Sequence, residues 1–351
     1  MEALYPARGA PVNSEVHAVF SVFGVENPLM DIIAHVDRGF LERFAKQPGS
    51  MHLVEHDEIE RLLWAIPSSR RLPGGSAANT ARGIAALNSR NAALDAVALD
   101  APVFNGSVGN DATGDDFQRS IERAGVVASL VRKELPTGVS LILVTPDGER
   151  TMNTHLGACR QFGPADLDLA RLGCSRVLYM TGYLWDTEGQ RKAAMAAVEA
   201  ARAGQRRILV AFDLADPFAV RRYGEAFRTW IPGTVDILFG NRDELAILTG
   251  GACDEDCVAA AAPLAPMVVM KVGAKGCIVG WEGRQRHVPG VPVRAVDTTG
   301  AGDAFAAGFL HGRLRGLDPV ASAELANTIA AGVVAVEGCV YDSSTGGSAS
   351  G

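Results

Sequence analysis

Short apolar runs alternate with longer Ala-rich stretches along most of the chain. Runs that are apolar at every position predict strands buried on both faces of a parallel sheet, and the Ala-rich stretches predict helices that cover it. The strands expected from this pattern are 16–25, 177–181, 208–213, 235–239, 267–272, 277–281 and 291–296, and the expected helices are 77–86, 115–124, 189–203, 242–248, 302–315 and 319–336. The sequence therefore predicts an α/β fold with a mostly parallel sheet flanked by helices on both faces.

Two segments, 31–73 and 134–157, interrupt this alternation. The first shows few obvious core helices. The second contains two apolar runs around the turn Pro146-Asp147-Gly148, which is typical of a β-hairpin. We expect both segments to form a small β-sheet lid inserted in a single α/β domain that spans 16–340. The ends, 1–15 and 342–351, are rich in small residues and are expected to be loose.

Charge and composition exclude some classes of partner. The net charge is −7 and no basic block occurs, which argues against a nucleic-acid surface. No apolar run approaches the length of a membrane span, and residues 1–15 lack a signal-peptide pattern, so we expect a cytoplasmic protein without a membrane partner. The six cysteines are scattered, and Cys253 and Cys257 bracket an acidic segment that indicates a helix start rather than a metal pair.

A small-residue turn near the C-terminal end carries the strongest chemical signal. Residues 297–303 read Asp-Thr-Thr-Gly-Ala-Gly-Asp and lead into an apolar helix. Gly300 and Gly302 leave the backbone accessible, and the first N–H groups of a helix lack partners inside it, so the turn is suited to bind an anion. Asp303 could accept a proton from a hydroxyl beside that anion. A glycine turn with an aspartate at the helix start, without chemistry, explains this segment alone equally well.

Two segments in the first third of the chain are candidates for substrate contact. Gly74-Gly75-Ser76 opens a predicted helix, and Asn79 projects from its first turn. A flexible strand-to-helix turn is the alternative interpretation. Asp31 follows the first predicted strand and could bind sugar hydroxyls, although an aspartate at this place is more often a turn residue.

Two later segments suggest phosphate or metal binding. Asn241 and Glu244 follow a predicted strand at a spacing that fits either metal binding or a helix-capping box. Residues 271–276, Lys-Val-Gly-Ala-Lys-Gly, close another strand and resemble a nucleotide-facing turn. The chain contains neither a Walker-type loop nor the glycine fingerprint of dinucleotide-binding folds, which disfavours a dinucleotide oxidoreductase.

Together these segments resemble the signatures of the ribokinase-like carbohydrate kinases, the PfkB family. Residues 74–80 resemble the first signature and residues 297–303 the second, while Asn241-x-x-Glu244 resembles the magnesium–phosphate element and residues 109–114 a further turn of the family. Residues 27–31, the Gly-Gly-Ser-x-x-Asn form of the first signature and residues 151–158 are similar to the adenosine kinase branch. The resemblance covers the chain from about residue 18 to residue 339.

The resemblance implies an ATP-dependent kinase that phosphorylates a primary hydroxyl, the 5′-hydroxyl of adenosine being the expected acceptor. A ribokinase- or fructokinase-like sugar kinase is the alternative, and a non-catalytic nucleoside-binding protein on the same fold is a more remote one. The variable lid would read the base, so the sequence leaves the substrate open. The predicted protein is a monomer or a homodimer.

The resemblance also implies roles for individual residues. The catalytic set is Asp303 as general base with the N–H groups of Gly300, Ala301 and Gly302. The substrate set is Asp31, Gly74, Gly75 and Asn79. The ATP set is Asn241, Lys271, Gly273, Gly276, Thr298 and Asn327. Mg²⁺ would be held by Glu244 and Asn241, and a monovalent cation such as K⁺ is a further candidate cofactor.

Overall fold

A computed structural model describes residues 20–44, 46–49, 51–66, 68–92, 100–204, 206–336 and 338–341. The segments predicted to be loose ends, 1–15 and 342–351, and the first part of the predicted strand 16–25 lie outside these residues. The strands are β1 (Phe20–Val25), β2 (Leu29–His35), β3 (Met51–Leu53), β4 (Arg70–Gly74), β5 (Val103–Gly109), β6 (Val127–Lys133), β7 (Gly138–Val144), β8 (Arg150–His155), β9 (Ser175–Thr181), β10 (Leu209–Asp213), β11 (Ile237–Asn241), β12 (Met267–Lys271), β13 (Gly276–Trp281) and β14 (Arg284–Pro289). The helices are α1 (Arg38–Arg43), α2 (His56–Ala65), α3 (Ser76–Ala92), α4 (Ala112–Arg123), α5 (Leu169–Gly173), α6 (Glu188–Ala203), α7 (Pro217–Trp230), α8 (Arg242–Thr249), α9 (Asp254–Ala261), α10 (Ala301–Leu314) and α11 (Pro319–Val334).

The larger sheet has nine strands in the order β14-β13-β12-β11-β10-β9-β1-β5-β6. Seven of them, from β12 to β6, run parallel, and β13 and β14 extend the β12 edge as antiparallel strands. Alternate strand residues point to two apolar clusters, so that Phe212 faces α6 and α7 while Ala211 faces α3 and α10. The predicted α/β architecture with helices on both faces is therefore confirmed.

The direction of the strand order changes at β1, which lies between β5 and β9. The carboxyl ends of strands beside such a switch point are where open α/β sheets bind ligands, because the connecting segments diverge there and leave a crevice. The two glycine-rich segments open α3 and α10, and these helices pack against each other at Gly83, where an added Cβ would approach Ala307 to 2.7 Å. The topology thus brings both segments to the same end of the sheet.

The smaller sheet has five strands in the order β3-β8-β7-β2-β4. The predicted hairpin in 134–157 is confirmed as the antiparallel pair of β7 and β8, and the segment 31–73 supplies β3, β4 and most of β2. That segment also forms α1 and α2, which the sequence did not indicate, and their apolar residues cover one face of the sheet. The movement of this sheet as a lid, and the domain limits assigned to it, stay predictions.

One predicted strand is wrong. Residues 291–296 are irregular, and Val291, Val293 and Val296 are 42%, 45% and 64% exposed. The edge position is taken by β14, whose first four residues, 284–287, are exposed and polar. A strand paired on one side needs no apolar pattern, so its sequence resembles a loop while the valines after it resemble a strand. No helix among the described segments has the length and apolarity to cross a membrane.

Candidate active site

The turn before α10 has the geometry expected of an anion site. Gly300 adopts φ +72°, and an added Cβ would lie 2.3 Å from Cys339 Sγ, so backbone conformation and packing both require glycine. The N–H of Ala301 donates to the carbonyl of Thr298 at 3.2 Å, which corrects the expectation that three N–H groups face a ligand. The N–H groups of Gly300 and Gly302 find no acceptor among the described residues and remain available at the positive end of the helix.

Asp303 is held by two residues of α3. Ser76 Oγ donates to Asp303 Oδ1 at 2.6 Å, and Asn79 Nδ2 donates to Oδ2 at 2.9 Å. Burial raises the pKa of Asp303, the charge of Asp213 adds to the rise, and the two hydrogen bonds and Lys271 oppose it. The structure thus joins the two glycine-rich segments into one site around a carboxyl group that is fixed in orientation and raised in basicity.

A buried ion pair lies beside this turn. Lys271 Nζ donates to Asp213 Oδ2 at 2.7 Å, and a Cβ added to Gly302 would lie 3.3 Å from the same Nζ. Burial acts to lower the pKa of Lys271, but the charges of Asp213 and Glu244 together raise it by more. The pKa is therefore above its usual value, and the ammonium stays charged. Asp213 was missed in the sequence, where the only signal is an acidic residue ending an apolar run. A fixed cation here can stabilise negative charge that develops on a transferring group.

Asn241 and Glu244 form a capping box at the start of α8. The N–H of Glu244 donates to Asn241 Oδ1 at 2.8 Å, and the N–H of Asn241 donates to Glu244 Oε2 at 2.8 Å. The structure therefore contains the helix-capping box that the sequence offered as an alternative to metal binding. Groups of three or more metal-ligating side chains are absent from the described part of the chain. The two oxygen donors nevertheless fit Mg²⁺, since this ion keeps most of its water and needs only one or two protein oxygens beside phosphate.

A cleft of about 620 Å³ opens next to this pair. Its lining includes Asn241, Lys271, Gly273 and Lys275, so the basic turn after β12 faces the same space as Asn241, while Glu244 is buried behind this lining. This volume lies within the usual range for small-molecule sites, roughly 300–1,000 Å³. The cleft is therefore a suitable place for the phosphate chain of a nucleotide.

The remaining residues of the predicted ATP set are not part of this lining. Gly276 has φ +97°, and a Cβ there would lie 2.1 Å from the carbonyl oxygen of Val288, so its glycine is explained by packing against β14. Asn327 is buried and donates from Nδ2 to the carbonyls of Val288 and Pro289 at 3.2 and 2.9 Å. Thr298 is exposed. Contact of these three residues with ATP stays a prediction.

Three of the four predicted substrate residues meet where β2 pairs with β4, and the fourth, Asn79, lies on α3. Asp31 lies so close to Gly74 that a Cβ added there would be 2.1 Å from Asp31 Oδ1, and Gly75 turns the chain with φ +88°. Burial, followed by the charge of Asp303, raises the pKa of Asp31 to about 7. Across the described segments, we find no donor hydrogen-bonded to the Asp31 carboxylate. This carboxyl group is thus available to hydroxyls of a bound molecule.

Glu26, at the carboxyl side of β1, is a second buried acid that the sequence did not reveal. The N–H of Ala77 donates to its Oε2 at 2.8 Å, and the hydroxyl of Thr181 donates to its Oε1. Burial raises the pKa of Glu26 to about 8 despite these bonds. Because Ala77 lies in the first turn of α3, this carboxyl group fixes the helix end that carries Ser76 and Asn79.

Two polar links join the hairpin of the smaller sheet to this end of the larger sheet. Asp111, the N-cap of α4, accepts from the N–H and hydroxyl of Thr137, both at 2.7 Å. Arg150, the first residue of β8, pairs with the buried carboxylate of Asp297 at 2.6 Å. Asp297 begins the turn before α10, so the smaller sheet is tied directly to the anion site.

Comparison with known proteins agrees with this geometry. The family model for pfkB family carbohydrate kinases matches residues 51–346. The structure of adenosine kinase from Sinorhizobium meliloti superposes with a TM-score of 0.85 at 34% identity, covering 93% of this chain and 98% of that chain. A probable sugar kinase from Rhizobium etli gives 0.85 at 32% identity, covering 93% and 97%. An ATP-dependent ribose-1-phosphate kinase from Halopiger xanaduensis is 34% identical over 283 residues, 78% of this chain and 84% of that protein.

The resemblance read from the glycine signatures is thereby confirmed at the level of the family and of the ribokinase-like fold. The anion turn, the fixed carboxyl group of Asp303 and the ammonium of Lys271 lie close together in this structure. The chain belongs to the PfkB family of carbohydrate kinases and is a phosphotransferase that acts on a hydroxyl group.

Proposed function

We propose that this kinase transfers the γ-phosphate of ATP to the 5′-hydroxyl of a ribonucleoside, with adenosine as the preferred acceptor. The observation that carries the proposal is the placement of Asp303 at the anion turn with both carboxylate oxygens held by α3. The carboxyl group of Asp31, which has no hydrogen-bond donor among the described residues, has its pKa raised by the charge of Asp303, as expected of two acids that face one site. One acid would receive the proton and the other would hold the sugar.

The chemistry follows from these positions. Asp303 takes the proton of the 5′-hydroxyl, and the freed oxygen attacks the γ-phosphorus while the bond to the β-phosphate breaks. The N–H groups of Gly300 and Gly302 and the ammonium of Lys271 stabilise the negative charge on the phosphoryl oxygens. Asn241 and Glu244 would hold Mg²⁺, which neutralises the triphosphate when bound. A raised pKa suits Asp303, because a stronger base takes up the hydroxyl proton more readily.

The sugar is assigned from Asp31. A carboxylate is an acceptor only, so it pairs naturally with the two vicinal hydroxyls of a ribose ring, which donate. Asn79 was expected to share this role, but its amide already bonds Asp303 and Arg82, so its contact with the sugar stays a prediction. The similarity to the adenosine kinase from Sinorhizobium meliloti supports a purine nucleoside, rather than a free sugar, as the acceptor of this kinase.

Ribose 1-phosphate is a second candidate, favoured by the similarity to the Halopiger xanaduensis enzyme. Its ring offers the same diol and the same primary hydroxyl as adenosine, with a phosphate in place of the base. A ribokinase- or fructokinase-like activity is the third, and the Rhizobium etli protein supports it. Asp31 and Asp303 would serve all three in the same way, so the acceptor must be determined by kinetics.

The test is an ADP-release assay with adenosine, 2′-deoxyadenosine, inosine, ribose 1-phosphate, ribose and fructose. We expect adenosine to have the highest kcat/KM. Its 2′-deoxy analogue should be lower by roughly tenfold, since losing one hydrogen bond to a buried carboxylate costs about 1.4 kcal/mol or more. Faster turnover of ribose 1-phosphate or of a free sugar would contradict the nucleoside assignment. Repeating the assay with K⁺ replaced by Na⁺ tests the predicted monovalent cation.

The role of Asp303 is tested separately with Asp303→Asn. We expect kcat to fall by about two orders of magnitude or more, the usual loss when a general base is removed, while ATP binding by calorimetry is retained. Asp116→Asn is the matched control, because Asp116 is an exposed carboxylate on α4 that forms an ion pair with Arg119. Near-normal turnover of Asp303→Asn would show that another group takes the proton.

A further inference from the structure

Arg82 lies one turn of α3 beyond Asn79, behind the proposed base. Its Nη1 donates to Asn79 Oδ1 at 3.0 Å and to the carbonyl of Pro73 at 3.0 Å, and its Nη2 donates to the carbonyl of Cys339 at 3.1 Å. The guanidinium also lies over the ring of Tyr341, 6.0 Å from the centroid. The side chain therefore uses its planar fork to hold three oxygen atoms from three separate segments.

These bonds decide which way the Asn79 amide faces. With Oδ1 bonded to Arg82, the Nδ2 end points at Asp303 Oδ2, to which it donates at 2.9 Å. In the opposite orientation the Asn79 oxygen would meet the carboxylate oxygen of Asp303, and its NH₂ group would meet the NH₂ group of Arg82. Both contacts would be repulsive, because each pairs like partners. Arg82 thus leaves Asn79 a single favourable orientation.

We propose that Arg82 is a positioning residue for phosphoryl transfer, which acts through Asn79 to keep an N–H donor on the carboxylate of Asp303. The inference rests on the proposed role of Asp303 as general base. The other two bonds of Arg82 strengthen it. Pro73 lies on β4 of the smaller sheet, and Cys339 packs against Gly300 of the anion turn. The guanidinium therefore fixes α3 relative to the segments on both sides of the site.

A purely structural role for Arg82 would give a different result. The donor from Asn79 lowers the pKa of Asp303, so losing it raises that pKa. The other groups whose charge couples to Asp303 are Asp213 on β10, Lys271 on β12, Asp31 on β2 and Glu26 after β1, together with the buried side chains of Tyr179, Tyr183, Cys339 and Tyr341. The charge of Arg82 also lowers the pKa of Asp31, so Arg82→Gln alone changes two acids. A shift of the acidic limb of kcat to higher pH therefore reports the state of Asn79 when it is also seen in Arg82→Lys, which keeps the charge, and in Asn79→Ala, which keeps Arg82.

The experiment compares pH profiles of kcat for wild type, Arg82→Gln, Arg82→Lys, Asn79→Ala and the double variant Arg82→Lys/Asn79→Ala. We expect Arg82→Gln to lower kcat by about tenfold, to leave the KM for ATP within about twofold and to move the acidic limb upward, as expected for an interaction that is lost in the transition state. Asn79→Ala should give the same shift, and the double variant should add nothing to it, because both changes break one chain of contacts. Arg119→Gln, on the exposed face of α4, is the control.

Arg82→Lys separates charge from geometry. Lysine keeps the positive charge but cannot hold three oxygens with a planar fork, so we expect a shift like that of Arg82→Gln. A wild-type profile for Arg82→Lys would overturn the proposal, as would additive shifts in the double variant or a lower melting temperature without any change in the profile. If Arg82→Gln does not fold, Arg82→Lys and Asn79→Ala carry the test. If Asp303→Asn retains its activity, Asp303 is not the general base. If Asp303→Asn is inactive but the pH profile of Arg82→Gln is not shifted, only the role of Arg82 is refuted.

Discussion

Replacing Glu26 by glutamine should stabilise the protein, and the gain should grow with pH. Glu26 is 2% exposed, and burial raises its pKa from 4.5 to about 8. In the folded protein the carboxyl group therefore keeps its proton at pH values where the unfolded chain has released it. A glutamine has the same shape, carries no charge, and can still accept the hydrogen bond from the N–H of Ala77.

The size of the effect follows from the two pKa values. One pKa unit corresponds to about 1.4 kcal/mol, so a rise from 4.5 to about 8 makes ionised Glu26 cost up to about 5 kcal/mol of folding free energy. The sign is that of a raised pKa. The stabilisation is complete below pH 4.5, and it is lost progressively as the pH rises to about 8. Glutamine does not titrate, so the variant avoids this loss.

The assay is urea unfolding of wild type and Glu26→Gln at pH 5, 6, 7 and 8. Allowing for relaxation around the charge, we expect the variant's advantage to increase by about 2–4 kcal/mol between pH 5 and pH 8. Glu225→Gln is the control, because Glu225 is an exposed glutamate on α7 and its replacement should give a difference that is small at every pH. A Glu26→Gln difference that is the same at pH 5 and pH 8 would refute the reasoning, since it would mean that Glu26 is already ionised in the folded protein.

Three further predictions concern the site. Asp31 must be ionised to accept hydrogen bonds from two hydroxyls, so kcat/KM for a ribonucleoside should fall as the pH drops below about 7. If kcat/KM of Asp31→Asn falls at the same pH as that of wild type, the assignment of this fall to Asp31 is wrong. Glu244→Gln should raise the Mg²⁺ concentration needed for half-maximal rate, whereas a change in melting temperature alone would leave only its capping role. Gly302→Val should abolish turnover while the fold survives, because its side chain would enter the space beside Lys271 Nζ, and wild-type activity with wild-type melting would exclude the phosphate from that space.

The main sheet was predictable where its strands are buried on both faces. β9 and β10 lie in the middle of the sheet, so their sequences are almost uninterrupted apolar runs. β5 is also fully buried but was missed, because Asn105 and Ser107 break its pattern. Asn105 donates to the carbonyl of Ser129 at 2.7 Å, and Ser107 to that of Ala158 at 2.8 Å. Buried polar residues satisfied by distant backbone cannot be distinguished from loop residues until the partners are known.

The residues of the site also differ in how far the sequence could predict them. Asp303, Asn79 and Lys271 were found because each lies in or next to a glycine-rich turn, and such turns are rare enough to be noticed. Glu26 and Arg82 have no local signal. Glu26 meets Ala77 across 51 residues of sequence, and Arg82 reaches Cys339 across 257. A single charged residue acquires its role only when the fold closes such long loops, so its chemistry is a property of the tertiary structure.

The buried acids of the site lower the stability of the protein when they ionise. Glu26, Asp31 and Asp303 all have pKa values raised by burial, and the charge of Asp303 raises the other two further. Each acid therefore costs folding free energy when it ionises. Glu26 touches none of the reacting groups, yet its bond to the N–H of Ala77 fixes the start of α3, where Ser76 and Asn79 hold the proposed base. Because glutamine can still accept that bond, Glu26→Gln should gain stability while its turnover stays close to that of wild type, and a large loss of turnover would show that the carboxyl group itself is needed there.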